Sequence, residues 1–338
     1  MGGLWLASDI SVPPALAPWS GRLQGFVTVF LGIFIEALPF LLAGVLLSAI
    51  IALFVTEEQI RRLSPRNPLL AAVGGALLGL AFPVCECGSI PAARRLISKG
   101  VALPAGIAFV LAAPVVNPIV IVSTYVAFSS WTVVAWRVGL TILFAVIIGM
   151  LVGIVRDASH VVAAGVGPCN DDPDHHHHHD PNHHHDHQHD HYHIEDVQAG
   201  LLRRVLNHAT IEFFEMSRFL IAGALLAATL QTFIPQQALM ALGGGAVLSV
   251  LVMMGLAVLL SVCSTVDSFI ALSFVNTFTP GAVLAFLVFG PMIDIKSTLM
   301  LTTTFQRHIV ALIVVLCFLL SFLAGIVINY FFAWGVFS

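Results

Sequence analysis

Two thiols flanking a carboxylate, in Phe82-Pro83-Val84-Cys85-Glu86-Cys87-Gly88-Ser89-Ile90-Pro91, are the first residues whose types and spacing could do chemistry. A Cys-x-Cys pair offers soft ligands to Cu(I) or Zn(II), and the interposed Glu86 suits Zn(II) or a proton. A second knot, Ser261-Val262-Cys263-Ser264-Thr265-Val266-Asp267-Ser268, keeps one thiol and adds hydroxyls and a carboxylate. The plain alternative for both is a tight turn of small residues with inert thiols. A third set is the strongest compositional signal: His175, His176, His177, His178, His179, His183, His184, His185, His187, His189, His191 and His193, interleaved with Asp. These are flexible imidazole ligands for Zn(II), Ni(II), Co(II) or Cu(II), without zinc-finger spacing.

The elements that must position these groups lie in a bilayer. The chain has 338 residues, 58% hydrophobic and 9% charged, with mean hydropathy +0.97. Soluble domains carry roughly 25% charged residues, so this one cannot cover a water-facing surface. A spanning helix needs about 20 apolar residues, and the windows 23–54, 101–128, 131–155, 207–234, 281–302 and 307–334 qualify. Two more stretches, 68–84 and 239–263, run into the Cys-containing knots and read as interrupted. The expected organisation is a 1–22 tail, a 23–155 membrane repeat, a 156–200 His/Asp-rich linker that is disordered without a ligand, and a 201–338 repeat.

Comparison of the halves carries the repeat. Residues 34–54 and 213–233 agree at ten of 21 positions, including Glu36 with Glu215 and Gly44 with Gly223. Cys85 then matches Cys263, Pro114 matches Pro291, and Asn117 matches Asp294. If 68–100 dips in and returns as a hairpin, ten of the fourteen bases share the cytoplasmic face, as membrane insertion favours. Each half then has three spans and one Cys-tipped re-entrant hairpin, which inverts the second half relative to the first. The alternative is eight full spans.

Both tips are then expected near the midplane, where inverted-repeat transporters bind substrate. The expected transport site is Cys85, Glu86, Cys87, Asn117, Cys263, Ser264, Thr265, Asp267 and Asp294. Asn117 could equally serve the carbonyls that Pro114 and Pro118 release. Glu36, Glu215 and Asp294 sit within apolar spans, where bare carboxylates are costly, and are candidates for proton or ion coupling. Local pairs, Glu215 with Arg218 and Asp294 with Lys296, would be the structural alternative. His208 and His308 read as structural.

Several classes are excluded. Bases fall only in short clusters of the kind that flank spans, so nucleic acid is not a partner. Five cysteines scattered through apolar runs do not form a secreted disulfide framework. No GxxxxGK[ST] loop occurs, so nucleotide hydrolysis would need another subunit. An intramembrane thiol oxidoreductase is weakly supported, because the thiols are CxC and no cofactor motif accompanies them.

The run from Phe82 through Cys85-Glu86-Cys87-Gly88 to Arg94, Arg95, Lys99 and Gly100, with Ala112-Ala113-Pro114-Val115-Val116-Asn117-Pro118 following, resembles the predicted permeases of the YraQ and YcgR type and, more distantly, the organoarsenical efflux permeases. The resemblance implies an all-α polytopic inner-membrane permease, not an enzyme and with no required cofactor. Cys-Glu-Cys and Val-Asn-Pro depart from the arsenical branch, and the His tract points to zinc or another divalent transition metal, with Cys85, Glu86, Cys87 and Cys263 as transient ligands. A thiophilic metalloid is the alternative substrate. A metal-sensing subunit without transport is the alternative class. Expected partners are the bilayer, a metal ion, and an accessory membrane or soluble subunit.

Overall fold

The computed structural model describes residues 17–54, 58, 65, 67–82, 84–155, 161, 201–233 and 245–332. The His tract and Cys169 lie outside them. The protein is an all-α polytopic membrane protein: the described residues contain twelve helices and no strand. They are α1 (Ala17–Phe54), α2 (Pro68–Ala81), α3 (Glu86–Ser98), α4 (Leu103–Ala112), α5 (Pro118–Phe128), α6 (Trp131–Val155), α7 (Leu201–Phe233), α8 (Ala246–Leu260), α9 (Asp267–Leu272), α10 (Pro280–Met292), α11 (Ile295–Leu301) and α12 (Arg307–Val327). A π-helical turn, Ile328–Phe332, extends α12.

Among the described residues five stretches are long and apolar enough to cross a bilayer: 23–51, 131–153, 205–233, 280–301 and 307–331. α1 begins at Ala17, inside the expected tail, and at 1.5 Å per residue its 38 residues reach about 57 Å, well beyond the hydrocarbon core. The expected span 101–128 is two helices, broken where its prolines release the backbone. Pro114 and Pro118 remove backbone donors, Ala113–Val116 leave the helix, and Asn117 restarts it. The 280–301 stretch is interrupted in the same way at Ile293–Asp294, after Pro291.

The direction of each piece follows from its contacts. A Cβ on Gly44 of α1 would collide with the Gly88 backbone of α3, and one turn on, the Ser48 hydroxyl lies 3.3 Å from the Pro91 carbonyl. So α3 runs beside the C-terminal half of α1 in the same direction, and α2 and α3, at 14 and 13 residues, go in and come back. Ser48 also meets Glu212, while Gly223, further along α7, meets Lys296 at the level of Glu86. Therefore α7 is antiparallel to α1. The end where α6 finishes and α7 begins is called the linker end below.

Small residues permit these crossings, as close helix approach in lipid requires. Gly75 of α2 sits against the Ala105 backbone of α4, Gly79 against Ala113, and Gly281 of α10 against the Gly325 carbonyl of α12. Replacing Gly44 by Val should cost about 1–3 kcal/mol through overpacking and lower the unfolding midpoint in detergent. Gly74→Ala, where a Cβ meets nothing, should leave that midpoint unchanged or slightly raised.

Candidate functional site

Four helix breaks converge at the centre. At the first, Cys85 ends the extended segment after Phe82 and stands at the N-cap of α3 without a side-chain cap. This puts Glu86 and Cys87 in the first helical turn, both buried, with Cys87 hydrogen-bonded to Cys85. At the second, the Asn117 carboxamide oxygen accepts from Ile119 N at 2.9 Å, and its amide nitrogen donates to the Val84 carbonyl at 3.3 Å. Asn117 thus caps α5 and ties this break to the Cys85 tip.

The matching position in the second half behaves alike. Asp294 accepts from Ser297 N at 2.6 Å while the Ser297 hydroxyl accepts from Asp294 N, a reciprocal capping box for α11. Two residues on, the Lys296 ammonium stands 3.4 Å from Glu86 Oε1 and 3.2 Å from Asp294 Oδ2. All three side chains are at most 5% exposed. Two carboxylates and one ammonium leave a net charge of about −1 in ionised form, and Glu86 Oε2 has no hydrogen-bond partner. Cys263 and Cys87 are within electrostatic reach of Glu86 and Lys296, and half-buried Glu36 is within reach of Lys296. Asp294 also borders an apolar cavity of about 560 Å³ between α7, α8, α10, α11 and α12, which none of the thiols lines.

At the fourth break Ser261 closes α8 in the left-handed conformation at φ 46°, and the Cys263 carbonyl accepts from Val266 N and Asp267 N. Asp267, expected to face substrate, is instead claimed by Arg137 of α6, whose Nη2 donates to its Oδ2 at 2.7 Å. Arg137 also donates to Thr124 at 2.8 Å, Ser268 at 2.6 Å and the Ser264 carbonyl at 3.3 Å. Arg137 is 1% exposed, and its only carboxylate partner among the described residues is Asp267. Ser264 is buried and Thr265 half-buried beside it.

A third polar layer lies nearer the linker end. Ser48 donates to Glu212 Oε2 at 2.7 Å, Arg95 Nε lies 3.7 Å from the same oxygen, and Arg94 donates to Glu215 at 2.7 Å. The local pairing of Glu215 with Arg218 does not form. One turn of helix points Arg218 outward, exposed over the Phe219 ring, while α3 delivers Arg94 across the interface. Lys296 does meet Asp294, and reaches Glu86 as well.

No group of three or more His, Cys, Asp or Glu side chains among the described residues is close enough to hold a metal ion together. His308 is exposed at the start of α12. Sequence reasoning missed Arg137, Glu212, Ser48 and Thr124. The rule that singled out Glu36 would have found Arg137, since it too is an ionised residue within an apolar span.

The family model described as a predicted permease matches residues 22–330. The UPF0718 protein YcgR of Bacillus subtilis (strain 168) is 44% identical over 291 residues, covering 85% of this chain and 91% of the relative. A protein of Streptococcus mutans named as a putative two-component membrane permease complex subunit is 34% identical over 285 residues, covering 84% and 88%. No solved structure matches.

Breaking a buried pair from one side costs about 3–5 kcal/mol, whereas removing both charges is often near neutral. Arg137→Met should therefore strongly lower the unfolding midpoint in detergent. Adding Asp267→Asn should recover most of the loss.

Proposed function

The chain belongs to the ArsP_1 family of predicted permeases, and we propose that it is a secondary permease carrying a soft, thiol-binding species through the junction of its helix breaks. Its relatives are named as permeases or permease subunits, not as enzymes. We take zinc or another divalent transition metal as the substrate class, with a thiophilic metalloid second. The observation behind this is the meeting of Cys85, Cys87 and Cys263 with the Glu86–Lys296–Asp294 group where helices are broken at membrane depth. Irregular backbone there is tolerated only when protein buries it or it lines a cavity.

Lys296 supplies the mechanism. In the empty site it neutralises Glu86, so no bare carboxylate faces the bilayer interior. An arriving cation takes Glu86 and the thiols, each thiol giving up its proton to water in the path as its sulfur–metal bond forms, and the ammonium keeps its contact with Asp294, 3.2 Å away. The ion and the tethered ammonium compete for one carboxylate, which favours exchange over storage.

The two halves are read as inverted repeats in a bacterial-type inner membrane with the 156–200 linker cytoplasmic, on the distribution of bases. The His tract then raises local metal concentration without shaping the site. A second reading is a metal-sensing subunit without transport of its own; the Streptococcus mutans relative's name, a putative two-component membrane permease complex subunit, supports only the part that a partner subunit is involved.

Vesicles reconstituted with the protein test this. Exchanging Cys85 and Cys87 for Ser should lower zinc flux by about tenfold or more with monodispersity unchanged, and normal flux would remove the thiols from the path. Lys296→Met should tighten zinc binding yet slow release. Deleting 171–193 should leave flux intact at high zinc and reduce it at low zinc; complete loss in a folded deletion would place the tract in the pathway.

A further inference from the structure

The two repeats use their long helices unequally. Gly44 and Gly223 occupy aligned positions in α1 and α7, yet Gly44 seats on Gly88 of α3 whereas Gly223 seats on Lys296 of α11. Repeat symmetry relates α3 to α9 and α11 to α5, so these two seats are not equivalents of each other. They are neighbours: α3 touches α11, and both α1 and α7 rest on that pair. The symmetric counterpart, α5 against α9, also forms, but neither α1 on α5 nor α7 on α9 makes extensive contact among the described residues.

The α5–α9 pair lies at the other end of the molecule. Arg137, which holds Asp267 at the start of α9, is six residues into α6 from the end opposite the linker, about 9 Å of helix. Tyr125 near the end of α5 stacks on Trp131 at the start of α6 with ring centroids 4.5 Å apart.

Carrying each occupied contact across the repeat gives definite positions. Gly88 maps to Val266, Pro91 to Phe269, Arg94 to Leu272 and Lys296 to Ile119. The first group is covered or largely so; the second is exposed at 40%, 49%, 43% and 48%. Four counterparts of a filled seat are thus all vacant, and all are apolar.

We infer that the face formed by Ile119 of α5 and Val266, Phe269 and Leu272 of α9 is a second seat for the α1–α7 pair, which alternates between it and the α3–α11 seat. The inference rests on the permease and inverted-repeat reading and specifies its moving part. In the second seat α1 lays Gly44 beside Ile119 and Glu36 beside Leu272, while α7 lays Gly223 beside Val266. Glycine at 44 and 223 gives either helix room for a backbone on one side and a branched side chain on the other. The seats differ in chemistry: the occupied one is held by Arg94–Glu215, Arg95–Glu212 and the Ser48 hydroxyl on the Pro91 carbonyl, the vacant one by apolar packing alone. Lipid solvates the vacant face, so leaving it costs little, and the polar layer closes the linker end of the path while α1 and α7 rest on it.

Two double-cysteine variants of the full chain in native membranes test this with a short bismaleimide, cross-linked peptides being mapped by mass spectrometry. Arg94→Cys with Glu215→Cys reports the occupied seat, and Glu36→Cys with Leu272→Cys the second. Both links should form, and adding Arg95→Ala with Glu212→Gln should raise the 36–272 link severalfold at the expense of the first seat. As a separate readout, Val266→Cys should lose accessibility to a maleimide when that polar layer is broken. A 94–215 link with no 36–272 link, and Val266→Cys labelling that does not fall, would overturn the second seat even if zinc flux is normal. Exchange of links without zinc flux would support the seat and remove only the substrate proposed above.

Discussion

Hydrocarbon solvates neither an unpaired carbonyl nor a bare charge, and the centre of this protein is arranged by that constraint. Each of four apolar stretches breaks at membrane depth, and each break must find partners for the groups it frees. They find one another. Asn117 restarts α5 and reaches Val84 beside the Cys85 tip; Asp294 restarts α11 and holds Lys296, which reaches Glu86 on the other side of that tip. Losing the Asn117 break would strand the Val84 carbonyl, and losing the Asp294 break would strand Lys296 and Glu86.

Charge follows the same logic at three depths. Arg137–Asp267 joins the first half to the second away from the linker end, Lys296 sits at the centre, and Arg94 and Arg95 meet Glu215 and Glu212 nearer the linker end. The pairs differ in what they leave free. Arg137 has donors spread over four acceptors, so Asp267 is committed to structure. Glu86 retains an oxygen without a partner, and Glu212 does as well, under a guanidinium at 3.7 Å. Under-satisfied carboxylates thus sit at the centre and in the layer beside α1 and α7, while the Arg137 group is tied on four sides.

The membrane class and the four interruptions were legible because each rests on local signals. Hydropathy over 20 residues, proline within an apolar run and matched Glu, Cys and Asn/Asp positions need no tertiary information. The Cys85–Glu86–Cys87 knot was visible for the same reason. Partner choice was less legible. Sequence proximity suggested Arg218 for Glu215, but a helix sends residues three apart along one lipid-facing stripe as readily as toward a neighbour, and Arg94 arrives from α3. Asp267 looked like a site residue for want of any nearby base.

The sequence by itself determined that this chain lives in a bilayer and where its helices must fail, since apolar content and proline act within a few residues. Only the tertiary structure decided which charges neutralise which, because ions buried in hydrocarbon take whatever partner the packing brings within about 3–4 Å, between the halves at separations of 117 to 210 residues here. It also decided that α1 and α7 share one seat. Two aligned glycines look identical in sequence, and only packing reveals that one faces a glycine backbone and the other a lysine.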